Sequence, residues 1–392
     1  MRRPSPAACA ALAALALAAL APTSAPAQTP FTAPGLGYPT PPVDARAAAL
    51  GGVGTGLMDG TFSVRNPADL TEFADPSLAV SAAPEGVTLR DGTGSHETGR
   101  SRFSVIRAVV PLGAWSASVG FASELDQDWT FRDRDTLDIS TGRFPFEERR
   151  TNDGGISSID LSVARSLGPL SVGVSWQRLT GELRQELVRR FEVAVDSTVL
   201  EPPETVRQQT LWNYSSWRLR AGASLEVGDR VRIGGAYAWT DDLEAENDSL
   251  GLTRTFPMPD SWTAGASVRL ADDWLLSAGG GWKGWSETGP ALGEERARDV
   301  TWGGAGLEFG GLELGPVPLD LRVGGRFTEL PFARPERDFA SEEAITLGLG
   351  SALASGRAEL DFSLELGSRG ELPATGVEES FTRFTFTATL HQ

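Results

Sequence analysis

The sequence predicts an all-β protein: a transmembrane outer-membrane β-barrel of about 14 antiparallel strands, with a small N-terminal hatch in its lumen. Three observations predict it. Hydropathy alternates with a period of two along most of the chain. The alternating stretches run to about 10 residues, longer than the five or six usual in soluble sheets. The joins between them are short and long by turns.

The alternation is plain in five places. Trp262, Ala264, Ala266, Val268 and Leu270 oppose Ser261, Thr263, Gly265, Ser267 and Arg269. Trp274, Leu276, Ala278, Gly280 and Trp282 oppose Ser277, Gly279, Gly281 and Lys283. Leu319, Leu321, Val323, Gly325 and Phe327 oppose Asp320, Arg322, Gly324, Arg326 and Thr328. Stretches 357–367 and 383–390 repeat the pattern, with Phe362, Leu364, Phe384 and Phe386 on the apolar face. Aromatic residues such as Trp239, Trp262, Trp274, Trp282 and Phe327 sit near strand ends, as an interfacial girdle requires.

The strands read as roughly 77–84, 101–110, 113–125, 154–166, 170–183, 211–226, 229–241, 260–270, 273–286, 298–310, 317–329, 341–354, 357–367 and 380–391. Short joins such as Pro111-Leu112, Leu167-Gly168-Pro169 and Ser355-Gly356 alternate with long ones near 85–100, 126–153, 184–210, 242–259, 287–297, 330–340 and 368–379. Short periplasmic turns and long external loops produce this rhythm, and an even strand number puts both termini in the periplasm.

The N-terminus is set apart. Arg2 and Arg3 precede an Ala/Leu run from Ala7 to Leu20, and Ala25-Pro26-Ala27 is a small-x-small cleavage signal. Residues 1–27 therefore read as a signal peptide, too short in its apolar run to span a bilayer. Its loss removes Cys9, the one cysteine, and takes the formal net charge from −17 to −19. So acidic a chain disfavours nucleic acid as a partner, and thiolate chemistry is excluded. Residues 28–74 form a leader and hatch, and 75–392 the barrel, because a barrel of this width needs a plug or conducts water.

Gly51 to Leu70 begins like a phosphate loop. Gly52-Val53-Gly54-Thr55-Gly56 lacks the third glycine's spacing, no clear strand precedes it and no lysine follows, so a nucleotide site fails. Enzyme signatures fail too. There is no Gly-x-Ser-x-Gly elbow, and His96 and His391 have no sequence companions for a triad or metal site. The reading is a non-enzyme with no cofactor and no metal. The acidic loop Thr240 to Gly251 lacks EF-hand spacing and reads as a solvated loop.

The residues also carry a resemblance. Arg46 to Gly54, followed by Asn66-Pro67-Ala68-Asp69-Leu70, resembles the N-terminal hatch of the FadL-type outer-membrane protein transport family. Phe256 to Gly265, the Asp272-Asp273-Trp274 turn and the Trp282 to Trp285 stretch resemble the same family, as does the C-terminal third. The resemblance implies a fourteen-stranded barrel that passes hydrophobic small molecules, typically long-chain fatty acids or hydrocarbons. It also implies an inward kink in an early strand, a gap in the wall and sideways exit into outer-membrane lipid. Gly51, Gly52, Gly54, Asn66, Pro67 and Ala68 match the hatch and gate. PorV-like relatives bind exported proteins in a secretion system, which is the alternative; a structural barrel is another. Any such barrel is a client of the barrel assembly machinery in a Gram-negative-type (diderm) bacterium.

Two sets of side chains stand out as ligand contacts. Arg322 and Arg326, four residues apart on one face, suit a fatty carboxylate; the competing reading is mutual neutralisation of inward charges. Trp212, Tyr214 and Trp217 suit a capture site at the outer rim; the competing reading is an interfacial girdle. For Asn66-Pro67-Ala68 the competing reading is a capped turn.

Overall fold

A computed structural model describes residues 29–392 except 93, 140–141, 193–203, 248 and 316. The signal-peptide expectation over 1–27 lies outside the described residues.

The chain folds into one closed antiparallel barrel of 14 strands. In chain order they are β1 (Ser77–Ala82 continued by Glu85–Asp91), β2 (Ser95–Arg100 and Phe103–Leu112), β3 (Trp115–Asp126 and Trp129–Ile139), β4 (Gly142–Leu167), β5 (Leu170–Phe191) and β6 (Val206–Val227). Then come β7 (Val231–Thr240 and Leu243–Asn247), β8 (Leu252–Phe256 and Ser261–Ala271), β9 (Trp274–Lys283) and β10 (Val300–Leu314). The last four are β11 (Val317–Glu329), β12 (Ser341–Leu353), β13 (Ala358–Arg369) and β14 (Val377–His391). Neighbours in sequence pair along the wall, and β14 closes the ring on β1, with Ser77 opposite His391 and Val377 opposite Asp91.

Period-two hydropathy explains the two faces. Ile159, Leu161 and Val163 on β4, Val172, Val174 and Trp176 on β5, and Ile345, Leu347 and Leu349 on β12 all stand exposed on the outside. A continuous apolar surface of this kind belongs in lipid. Trp115 and Trp274 mark its rim near the short turns, and Trp176, Trp239 and Trp262 the opposite rim. No helix among the described residues is long and apolar enough to cross a membrane. The short joins fall at one end, where Gly168 and Gly228 take positive φ to turn the chain. We call this the turn end and the other the loop end.

Past the loop-end rim the strands run on. Connections expected at 126–153, 184–210 and 242–259 are largely strand: Trp129–Ile139, the first part of β4, β5 as far as Phe191, β6 from Val206, and the Leu243–Asn247 and Leu252–Phe256 hairpin. Outside lipid neither face must be apolar, so the hydropathy signal vanishes there. Charge pairing across strands replaces it, as in Arg149–Glu186 at 3.3 Å and Arg207–Glu186 at 2.5 Å.

Candidate functional site

Residues 29–76 run through the lumen. Asp44 caps the helix α1 (Ala45–Ala49), its Oδ1 accepting the Ala47 N–H at 2.8 Å. Gly51 and Gly52 then take φ of 74° and 77°, which turns the backbone onto the wall. Arg46 ties the segment to itself and to the barrel. Its Nη1 donates to the carbonyls of Met58 (2.9 Å) and Gly60 (2.8 Å), and its Nη2 to Glu308 (2.8 Å).

The segment lies backbone against backbone on a belt of inward glycines. Gly173 on β5 faces Pro67, Gly222 on β6 faces Asn66, Gly234 on β7 faces Gly56 and Gly265 on β8 faces Thr55. Gly304 and Gly306 on β10, Gly324 on β11 and Gly348 on β12 then face Gly51, Leu50, Gly51 and Ala49. A Cβ on Gly306 would lie 2.6 Å from the Leu50 Cα, and one on Gly173 2.6 Å from the Pro67 carbonyl carbon. Such distances exclude any side chain, so the belt sets how closely the segment hugs the wall.

Asn66 caps the 3-10 turn Pro67–Glu72. Its Oδ1 accepts the Ala68 N–H at 3.1 Å, and its Nδ2 donates to the Ser224 Oγ at 2.9 Å. Behind it Gly222 pairs with Gly173, so the wall is unbroken where Asn66, Pro67 and Ala68 touch it. Gly54 packs on Ser63 and Val43 within the segment.

The strand pairing is interrupted elsewhere. The β2–β3 ladder ends at Val105 opposite Ala122. Beyond it the edge of β3 pairs with the N-terminal segment: Pro39 opposite Leu125 and Tyr38 opposite Asp126. The Thr40 N–H adds a bond to the Glu124 carbonyl at 2.9 Å. Among the described residues no pairing joins β2 to β3 past this point. Arg100 and Arg102 of the departing β2 reach back to Asp126 at 3.5 and 3.2 Å, and both guanidinium groups lie over the Tyr38 ring.

Two cavities concern the lumen's ends, and a third, about 250 Å³, lies between Phe31, Phe332 and Arg337. The loop-end cavity, about 310 Å³, is lined by Trp212 and Tyr214 of β6, Leu183 of β5, Phe256 of β8, Leu36, and Gln127 and Trp129 of β3, among others. Beneath it Leu125, Ile156, Leu179, Leu243, Met258, Trp285 and Phe332 form a buried apolar cluster. The turn-end cavity, about 500 Å³, is acidic; Asp59, Glu72, Asp272, Asp320, Glu359 and Asp361 outnumber Arg46, Arg269 and Arg322. The two share no lining residue.

The three aromatics singled out in the sequence part company. Trp212 and Tyr214 have even parity, point inward and are buried. Trp217 is odd and packs edge-on against Trp239 at 4.8 Å, on the lipid-facing side. The two arginines are both occupied. Arg322 binds Glu308 at 2.6 Å and also Asp361; Arg326 binds Glu365 at 2.7 Å and also Glu342. A fatty carboxylate there has to displace a protein carboxylate. Among the described residues no group of three His, Cys, Asp or Glu is placed to hold a metal ion.

No protein-family model matches the chain, and no curated protein matches it. Solved structures do. The Ralstonia pickettii toluene transporter TbuX is 15% identical, over 89% of this chain and 98% of its own, with a TM-score of 0.57. A Pseudomonas aeruginosa FadL homologue is 14% identical, over 90% and 99%, with a TM-score of 0.57. The P. putida toluene transporter TodX is 13% identical, over 89% and 98%, with a TM-score of 0.56. The fold is that of the FadL-type outer-membrane transporters.

Within this FadL-type fold, sequence reading missed Tyr38, Asp126, Gln127 and the glycine belt. The belt left a signal: glycines recur at inward positions of eight successive strands, counting Gly279 of β9, which faces Val53. Tyr38 and Asp126 left none, because a two-residue pairing has no periodicity.

Proposed function

We propose that this protein sits in the outer membrane of a Gram-negative bacterium and passively admits hydrophobic small molecules, such as hydrocarbons or long-chain fatty acids. The observation that carries this is the aromatic cavity at the loop end, closed off from the turn end by a lumen packed with residues 29–76. A molecule captured beside Trp212 and Tyr214 meets a dense segment below it. The way out is sideways, between β2 and β3, where the ladder stops and, among the described residues, Tyr38 and Pro39 with one bond from Thr40 cover the edge of β3. A backbone edge covered by two residues opens far more cheaply than a full ladder, since few hydrogen bonds are exchanged. The FadL fold and the transporter neighbours support the same direction of reading.

The test is uptake into proteoliposomes that hold the purified barrel. Saturable, protein-dependent movement of toluene or a fluorescent fatty acid is expected. Absence of both binding and movement for both classes would overturn the reading.

A further inference from the structure

Deepening that reading, two residues that line the loop-end cavity carry buried polar atoms that the uptake of a pure hydrocarbon leaves unused. Gln127 is buried in the interruption of β3, and its Oε1 has no hydrogen-bond partner. Trp129, two residues on, has an indole N–H equally without one. Both side chains line the same cavity. Buried polar groups are nearly always paired, so an unmet acceptor and an unmet donor on residues two apart are unusual. Both atoms are turned from the open space as the side chains stand, and Gln127 bonds the Tyr214 side chain; the soft terminal torsions of the Gln127 amide and the Trp129 indole let a ligand turn both toward the cavity.

The charges around the cavity narrow the ligand further. Glu295 accepts the Gly35 N–H at 2.6 Å, and burial pushes its carboxyl up. Arg254 lies 5.0 Å over the Trp212 ring. One charge of each sign gives a carboxylate ligand no net attraction. Trp212 itself is already satisfied, its N–H donating to the Gln185 oxygen at 3.1 Å, so what it offers is the part of its ring that Arg254 leaves uncovered.

We propose that the cavity selects a neutral, hydroxylated aromatic molecule, a phenol or aryl alcohol. Its hydroxyl donates to Gln127 Oε1 and accepts from the Trp129 N–H, while its ring rests on Trp212 and Tyr214. This rests on the uptake reading above.

The experiment compares 2-naphthol, naphthalene and 2-naphthoate by calorimetric titration of the detergent-purified protein. The naphthol is expected to bind about tenfold more tightly than naphthalene, the scale of one net hydrogen bond with a second partner, and naphthoate no better than naphthalene. Gln127→Leu and, independently, Trp129→Phe should each bring naphthol to within about twofold of naphthalene. Gln127→Glu retains the acceptor and should retain the preference. Equal binding of naphthol and naphthalene by the unaltered protein overturns this inference and leaves hydrocarbon uptake standing. A preference for naphthoate overturns it in favour of an anionic ligand. Failure of all three to bind overturns the uptake reading with it.

Discussion

Asp126 of β3 is in register with Tyr38 of the N-terminal segment, not with a residue of β2. The same carboxylate takes Arg100 and Arg102 from the departing β2. One residue thus joins, by its backbone and its side chain, the three pieces that meet where the wall's ladder stops.

That junction can be locked. Cross-strand Cα partners in an antiparallel pair lie about 4.5–5.5 Å apart, within disulfide reach. Cys9 is the one cysteine of the sequence, so in a Cys9→Ser background a Tyr38→Cys, Asp126→Cys pair has no competing thiol. The oxidised lock is expected to stop transport while binding at the loop-end cavity persists, and reductant should restore it. Transport that ignores the lock would place the exit elsewhere.

Trp212 and Trp217 are five residues apart on one strand but face opposite ways. Trp212→Ala should weaken ligand binding about tenfold, roughly 1.4 kcal/mol. Trp217→Ala should leave affinity within about twofold. Titration of both variants with one fluorescent hydrophobe checks this, and equal losses would refute the division of the two faces.

Gly304 and Gly303 make a similar pair. Gly304 touches the Gly51 backbone, whereas the nearest atom to a Cβ on Gly303 lies 3.7 Å away. Gly304→Ala should cost about 1–3 kcal/mol as overpacking, and admit large antibiotics through a displaced segment. Gly303→Ala should do neither. Melting temperature and antibiotic sensitivity read the two effects.

Asn66→Ala removes a cap and the bond to Ser224. A loss of about 0.5–2 kcal/mol is expected, with transport per folded barrel unchanged. A normal melt with slowed transport would instead return Asn66 to a gating role.

Arg369 is fully buried and binds Glu342 at 2.6 Å, Glu85 at 2.7 Å and Glu379 at 2.9 Å. Arg369→Met takes from Glu379 its one arginine among the described residues and leaves Glu85 and Glu342 to Arg100, Arg326 and Arg383. A loss of about 3–5 kcal/mol is expected in urea unfolding followed by tryptophan fluorescence. A loss below 1 kcal/mol would show that water reaches the cluster.

The barrel was legible because lipid imposes its pattern on every strand it touches. Val172, Val174 and Trp176 must alternate with Ser171, Ser175 and Gln177, and no tertiary knowledge is needed to see it. Beyond the membrane the constraint ends, and Glu148 beside Arg189 looks like loop. The charged lumen was legible as composition, including the expectation that inward charges neutralise one another. Which partner each arginine takes was not, since Arg322 meets Asp361 from a strand two positions round the ring.

The sequence by itself determined the class of fold, the strand rhythm and the presence of a glycine-rich segment ahead of the first strand, all of them local or periodic properties. The tertiary structure alone decided where that segment lies, that Tyr38 takes the place of β2 beside Asp126, and that Gln127 and Trp129 share a cavity with Trp212. These are contacts between residues far apart in the chain, fixed by register and closure of the ring, and they leave no period to read.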